Sequence, residues 1–177
     1  MLYPAEIHFV SFNVKYPNLS KALGHSDGLA VLGVFLEVGA ANPAYEQVVR
    51  DDLNLTEGGM KKKIAPFMLK PLLAANMKDY YRYAGSLTTP PCSEAVTWTV
   101  FKDAVKVPQQ VLTNLRALKM GDNSYMVNNC RPLQPLHGRT VKSSFMSTKN
   151  VTGTFNDGIA LKVSNVVLML MLFVFLM

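Results

Sequence analysis

Two groups of side chains in this sequence have the types and spacing to do chemistry. The first is Glu6-Ile7-His8, a carboxylate and an imidazole two residues apart. On an extended strand, residues i and i+2 share a face, so Glu6 can hold one ring nitrogen of His8. Such a carboxylate fixes the tautomer of a metal-binding imidazole and raises its basicity. The same pair also suits a hydrogen-bonded core histidine. The second group is Ser86-Leu87-Thr88-Thr89-Pro90-Pro91-Cys92-Ser93-Glu94-Ala95-Val96-Thr97-Trp98. Each proline fixes its own φ at about −65° and pushes the residue before it out of the helical region. Thr89 and Pro90 are therefore expected to be extended in a rigid loop. The side chain and N–H of Thr88 should stand at its lip. A Thr-Thr-Pro-Pro turn taken alone also serves as plain punctuation.

The elements that must position these groups follow from the hydrophobic pattern. Residues 5–12 read as a buried strand, with Glu6, His8 and Val10 on one face and Ile7 and Phe9 on the other. Residues 13–27 read as a loop. Residues 29–38 form an apolar, β-branched run, a central strand covered on both faces, in which Gly33 marks a bulge or a close backbone approach. Pro43 opens a short helix through about Leu53. Residues 56–79 are mostly irregular, with a turn of helix between Lys70 and Ala75. Tyr80 to Tyr83 is β-prone and leads into the threonine–proline loop. Residues 94–102 form a strand, with Val96, Trp98 and Val100 alternating with Thr97 and Thr99. Pro108 starts a helix with Val111, Leu112, Leu115 and Leu118 on one stripe, stopped by Gly121. Arg131 to Leu136 is extended, and Thr140 to Phe145 is a last short strand. No repeat is present. Many strands and few helices predict an α+β or mainly-β domain.

The chain has 177 residues, 49% of them hydrophobic and 17% charged, which excludes a disordered protein and suffices for one domain core. Net charge is +6, but Lys and Arg are scattered apart from Lys61-Lys62-Lys63. That run reads as solvated surface, and no nucleic-acid partner is expected. Cys92 and Cys130 have three options: to pair together, to pair with residues outside the chain, or to stay free. No secretory signal opens the chain at Met1-Leu2-Tyr3-Pro4. Three glycosylation sequons, at Asn18, Asn54 and Asn150, nevertheless lean toward the secretory pathway. The sequence carries no signal for oligomeric state.

Beyond the domain, residues 1–145, the composition changes. Residues 146–165 form a polar spacer, and 166–177 form an uncharged apolar tail. A membrane-spanning helix needs about 20 apolar residues, so this tail is short. Spacer and tail together fit a signal for a lipid (GPI) anchor, with the ω site at Asn156, Gly153 or Ser164. The rival is a short tail anchor, and a structural C-terminal strand or helix ranks third. The tail is therefore set outside the fold. The expected location is the extracellular face of the plasma membrane.

The threonine–proline loop with Glu94 and Thr97-Trp98 resembles the active-site loop of the α-class carbonic anhydrases. Three further stretches agree in order: Ala5 to Val10, Asp27 to Leu36, and Asn128 to Leu136. The resemblance covers residues 3–145, roughly the last three-fifths of the family domain. It implies a large twisted, mostly antiparallel sheet with short surface helices and its N-terminal part missing. It implies that His8 is one of three zinc-binding histidines and Glu6 its supporting carboxylate. The other two form an upstream His-x-His pair absent from this sequence, and His25 and His137 match variable surface turns. A catalytic zinc takes three protein ligands plus water.

In the complete family site, zinc lowers the pKa of its water to about 7, carbonic anhydrase being the standard instance of that effect. The resulting hydroxide hydrates carbon dioxide reversibly to bicarbonate. By resemblance, Val10, Val31, Leu87, Val96 and Trp98 form the substrate wall. The Thr88 hydroxyl accepts a hydrogen bond from the hydroxide, its N–H faces the developing bicarbonate oxygen, and Thr89 helps bind the anion. Cys92 matches a cysteine whose disulfide partner lies near the start of the family domain, outside this chain. The expectation is an inactive fragment of a zinc lyase that does not hold zinc tightly. The alternative is a non-catalytic carbonic-anhydrase-related binding module at the cell surface.

Overall fold

A computed structural model describes residues 3–50, 55, 57–146 and two short tail strands, 168–169 and 174–176. Among the described residues, eight strands form one mixed sheet. At its centre, β1 (Ala5–Phe12) runs antiparallel to β2 (Leu29–Val38), with His8 opposite Gly33 and Val10 opposite Val31. On its other side β2 carries two parallel partners in succession, β4 (Val96–Phe101) and β5 (Val105–Val107). β3 (Tyr80–Gly85) runs antiparallel to β4, and β6 (Lys142–Ser143) antiparallel to β3. The outer edge of β1 pairs antiparallel with β7 (Leu168–Met169) and β8 (Val174–Leu176). Five pairings are antiparallel and two parallel, as expected of a mostly antiparallel sheet.

Alternation along the central strands divides the core in two. Ile7, Phe9, Val34, Leu36 and Phe101 face one cluster, completed by Tyr45 of α2 (Pro43–Val48) and Val111, Leu112 and Leu115 of α3 (Gln109–Arg116). Val10, Leu29, Val31, Ala95, Val96 and Trp98 face the other, together with Ala22 of α1 (Leu19–Ala22). β2 is buried from both sides, which its uninterrupted apolar run requires.

Several boundaries differ from the sequence expectation. The expected loop 13–27 contains α1, because the Asn18 side chain accepts from the Lys21 N–H at 2.9 Å and caps the first turn. α2 ends at Val48, short of Leu53, where Val49 leaves the helical region at φ −117°. The helical turn after Leu69 is one 3-10 turn, Lys70–Leu72. α3 ends at Arg116, not at Gly121. The chain there bends back so that Lys119 bridges to Tyr125, and Gly121 lies inside that turn. Leu118 still packs against the core. β5 was not anticipated, and β6 is shorter than 140–145.

The tail also differs: residues 168–169 and 174–176, set outside the fold on sequence, pair with β1. No described helix is long and apolar enough to cross a membrane. Asn54, Asn150, Gly153, Asn156 and Ser164 lie outside the described residues.

Candidate functional site

β1 carries His8 to the floor of a cavity of about 320 Å³. The imidazole is 2% exposed. Its Nε2 lies 3.1 Å from Glu6 Oε1, the contact expected of two side chains on one strand face. Trp98, from β4, packs edge-on against the imidazole with ring centroids 4.7 Å apart.

Two glycines make room for the indole. A Cβ at Gly85 would stand 2.8 Å from Trp98 Cδ1, and one at Gly33 would stand 3.3 Å from Val100 Cγ2 and 3.5 Å from Trp98 Cζ3. Gly33 is opposite His8 in the register, and a side chain there would press on Val100 while making only ordinary contact with the indole. The sequence signal was Gly33 inside an otherwise β-branched run, and close approach is the correct one of its two readings.

The loop lip is fixed from several directions. Trp98 Nε1–H donates to Ser86 O at 3.0 Å. The Leu87 N–H donates to Ser93 O at 3.0 Å, and the Cys92 N–H to Thr89 O at 2.9 Å, closing a turn around the cis Pro90–Pro91 peptide. Arg131 reaches in from the Asn128–Leu136 stretch: its Nη1 donates to Ser86 Oγ at 2.7 Å and to Leu87 O at 3.4 Å. Arg139 ties the same stretch to β3, donating to Ala84 O at 3.1 Å, Pro135 O at 2.8 Å and Leu136 O at 2.9 Å. Sequence reasoning gave neither arginine a role. The available signal was a lone cation in an extended, proline-flanked run.

Thr88, Glu6, His8 and Trp98 line the one cavity, with Ser86, Tyr83, Arg131 and Arg139. Two guanidinium groups and one carboxylate thus share its walls. Burial pushes the Tyr83 phenol above its usual range, Glu6 adds to that shift, and Arg139 opposes it. Val10, Val31 and Val96 gather with Trp98 in the adjoining buried cluster, and Leu87 packs against it. Thr89 is half-buried and does not line the cavity. A larger groove of about 710 Å³ beside α2, near Phe67 and Met68, has no titratable lining residue.

Among the described residues, no three His, Cys, Asp or Glu side chains converge as a metal-binding group. His25 stacks on Tyr16 at 4.3 Å, and His137 sits in an exposed turn at φ 48°. Cys92, at φ 58°, and Cys130 are not joined to each other. Among the described residues, this donor set does not fit a three-ligand catalytic zinc. Asn18 is exposed, and its capping bond uses Oδ1, not the nitrogen that carries a glycan.

Fold and site together define a mixed-sheet protein with a carboxylate-braced strand histidine beneath a clamped threonine–proline loop. The family model for eukaryotic-type carbonic anhydrases matches residues 1–145, and the chain belongs to that family, which generally uses zinc. It is 45% identical over 148 residues to "Carbonic anhydrase 5A, mitochondrial" of Rattus norvegicus, covering 81% of this chain and 48% of that protein. The human protein of that name is 41% identical over 155 residues, covering 85% and 50%. "Carbonic anhydrase 1" of Oryctolagus cuniculus is 39% identical over 148 residues, covering 81% and 63%. The chain thus spans about half the length of two of these relatives and under two-thirds of the third.

Proposed function

We propose that this chain is the later part of a carbonic anhydrase domain whose complete form hydrates carbon dioxide to bicarbonate, and that alone it is catalytically inactive. The reading is carried by the 3.1 Å contact of His8 Nε2 with Glu6, in the same cavity as Thr88. In the complete site, a bound zinc would supply Lewis-acid chemistry at neutral pH. This chain's residues supply the rest. His8 offers one nitrogen ligand, Glu6 sets its tautomer, and Thr88 presents a hydroxyl and an N–H from a loop that cannot slide. Trp98 offers an apolar face to a nonpolar gas, backed by the buried Val10, Val31 and Val96.

The location we propose is extracellular and membrane-tethered. It is supported by the three sequons and the apolar terminus. The mitochondrial location in two relatives' names belongs to those proteins. A glycosidase-induced mass shift of the secreted product tests it, and an unglycosylated product in an organelle overturns it.

The reaction is tested by measuring zinc content and CO₂ hydration on the purified chain, then on the chain extended by its upstream coding region. The chain alone should hold less than stoichiometric zinc and leave the uncatalysed rate unchanged. The extended protein should turn over, and His8→Ala within it should lose both metal and activity. Chelator-sensitive turnover by the chain alone would overturn the inactive reading. An extended protein that neither binds zinc nor turns over would make the family fold here a non-catalytic binding module.

A further inference from the structure

We propose that Arg131 is a positioning residue, acting through the peptide that joins Leu87 to Thr88. The role rests on the proposed reaction, in which Thr88 presents its N–H, and concerns what aims and strengthens that donor. The oxygen of this peptide is Leu87 O, and its N–H is that of Thr88. Arg131 Nη1 donates to Ser86 Oγ at 2.7 Å and stands 3.4 Å from Leu87 O. The second contact is long for a hydrogen bond. The bond to Ser86 therefore holds the guanidinium in place, and its permanent charge acts on the neighbouring carbonyl.

Amide resonance carries that effect across the peptide. Among the described residues the cis peptide is Pro90–Pro91, so Leu87–Thr88 is trans. In a planar trans unit, fixing the oxygen also fixes the direction of the N–H on its far side. A positive charge at the oxygen draws electron density from the nitrogen and makes the N–H a stronger donor. Among the described residues the Thr88 N–H has no acceptor, and Thr88 and Arg131 line the same cavity. The donor is thus aimed in advance and left open for an oxygen that gains negative charge there.

The neighbouring groups set this peptide apart. In the preceding unit, Ser86 O accepts from the Trp98 indole and the Leu87 N–H donates to Ser93 O, so both polar groups are engaged within the loop. Arg139 separates the role from general bracing. It donates to Ala84 O, Pro135 O and Leu136 O and ties down the same stretch. None of those atoms belongs to the Leu87–Thr88 peptide.

The test begins with NMR on the full chain, isotope-labelled. In Arg131→Met the Thr88 amide nitrogen should move upfield, in Arg131→Lys it should move part of the way, and in Arg139→Met it should stay in place. A Thr88 nitrogen unmoved in Arg131→Met overturns the proposal. Equal movement in Arg139→Met also overturns it, since the cause would then be a loosened stretch. If Arg131→Met does not fold, Arg131→Lys decides, and an unmoved nitrogen there has the same meaning. In the extended protein, Arg131→Met should keep its zinc while kcat and kcat/KM fall together about tenfold with KM unchanged, the pattern of an interaction made in the transition state. Arg131→Lys should recover part of that loss. Unchanged kcat with zinc retained contradicts the proposal. An extended protein with no turnover at all defeats the proposed reaction instead, and the Thr88 resonance still decides whether Arg131 acts on that peptide.

Discussion

β1 and β2 turn Ile7, Phe9, Val34 and Leu36 to one side of the sheet and His8, Val10 and Val31 to the other. On the first side α2 and α3 lay Tyr45, Leu112 and Leu115 over the strands. The Tyr45 hydroxyl donates to Leu72 O at 2.7 Å, so its burial leaves that donor satisfied. On the second side only the single-turn α1 contributes, through Ala22, and the Trp98 indole is the largest side chain of the cluster. It touches His8, fits between Gly33 and Gly85, and anchors the loop through Ser86 O. The helix side is held by volume, which neighbouring side chains can partly refill. The indole side is held by position, and few residues can be exchanged there without moving the histidine or the lip.

The contrast can be broken or sharpened by substitution. The largest effect is expected for Trp98→Ala, about 3–5 kcal/mol by chemical denaturation, with loss of order at Ser86–Thr88 in hydrogen exchange. A change confined to stability would show that the loop does not depend on the indole. Next comes Leu112→Ala, about 2–4 kcal/mol. Trp98 is the sole tryptophan, so its emission reports the other side of the sheet. That emission should be unchanged in folded Leu112→Ala, and a shifted maximum would show that the two sides are coupled.

Tyr45→Phe should cost about 1 kcal/mol through the lost hydrogen bond. Burial pushes this phenol well above its usual value of 10.0. A raised pKa means that the folded state keeps the proton while the unfolded chain releases it. The contribution is therefore complete below about pH 10 and falls as pH rises beyond that. Tyr45→Phe should flatten the alkaline limb of the stability profile, and an unchanged limb would assign it to other groups. Arg131→Ala should cost a comparable amount, about 1 kcal/mol for partly buried bonds, read as faster exchange of the Leu87 amide with β2 amides unaffected.

The central strands were legible because alternation survives wherever a strand has unlike faces. Glu6, His8 and Val10 against Ile7 and Phe9 leave one consistent register. β5 was not legible, since three residues between Asp103 and Pro108 are too few to show a period. α1 was hidden because its cap, Asn18, lies in a run of turn-forming residues. The pairing of His8 with Glu6 could be read locally, from strand geometry alone. The bonds of Arg131 to Ser86 and Leu87 could not, because they join residues 45 and 44 positions apart. The tail was ambiguous for another reason: a uniformly apolar run has no period, so it fits a membrane signal and a strand equally.

The paired arginines have a consequence for proteolysis. Leu133 is fully exposed, and it lies between Arg131, bonded to Ser86, and Arg139, bonded to Ala84. A cut there would sever the backbone while each new end stayed fastened to the body of the sheet, and β6 would still be laced to β3. The nicked protein should therefore migrate as one species under native conditions and as two only after denaturation.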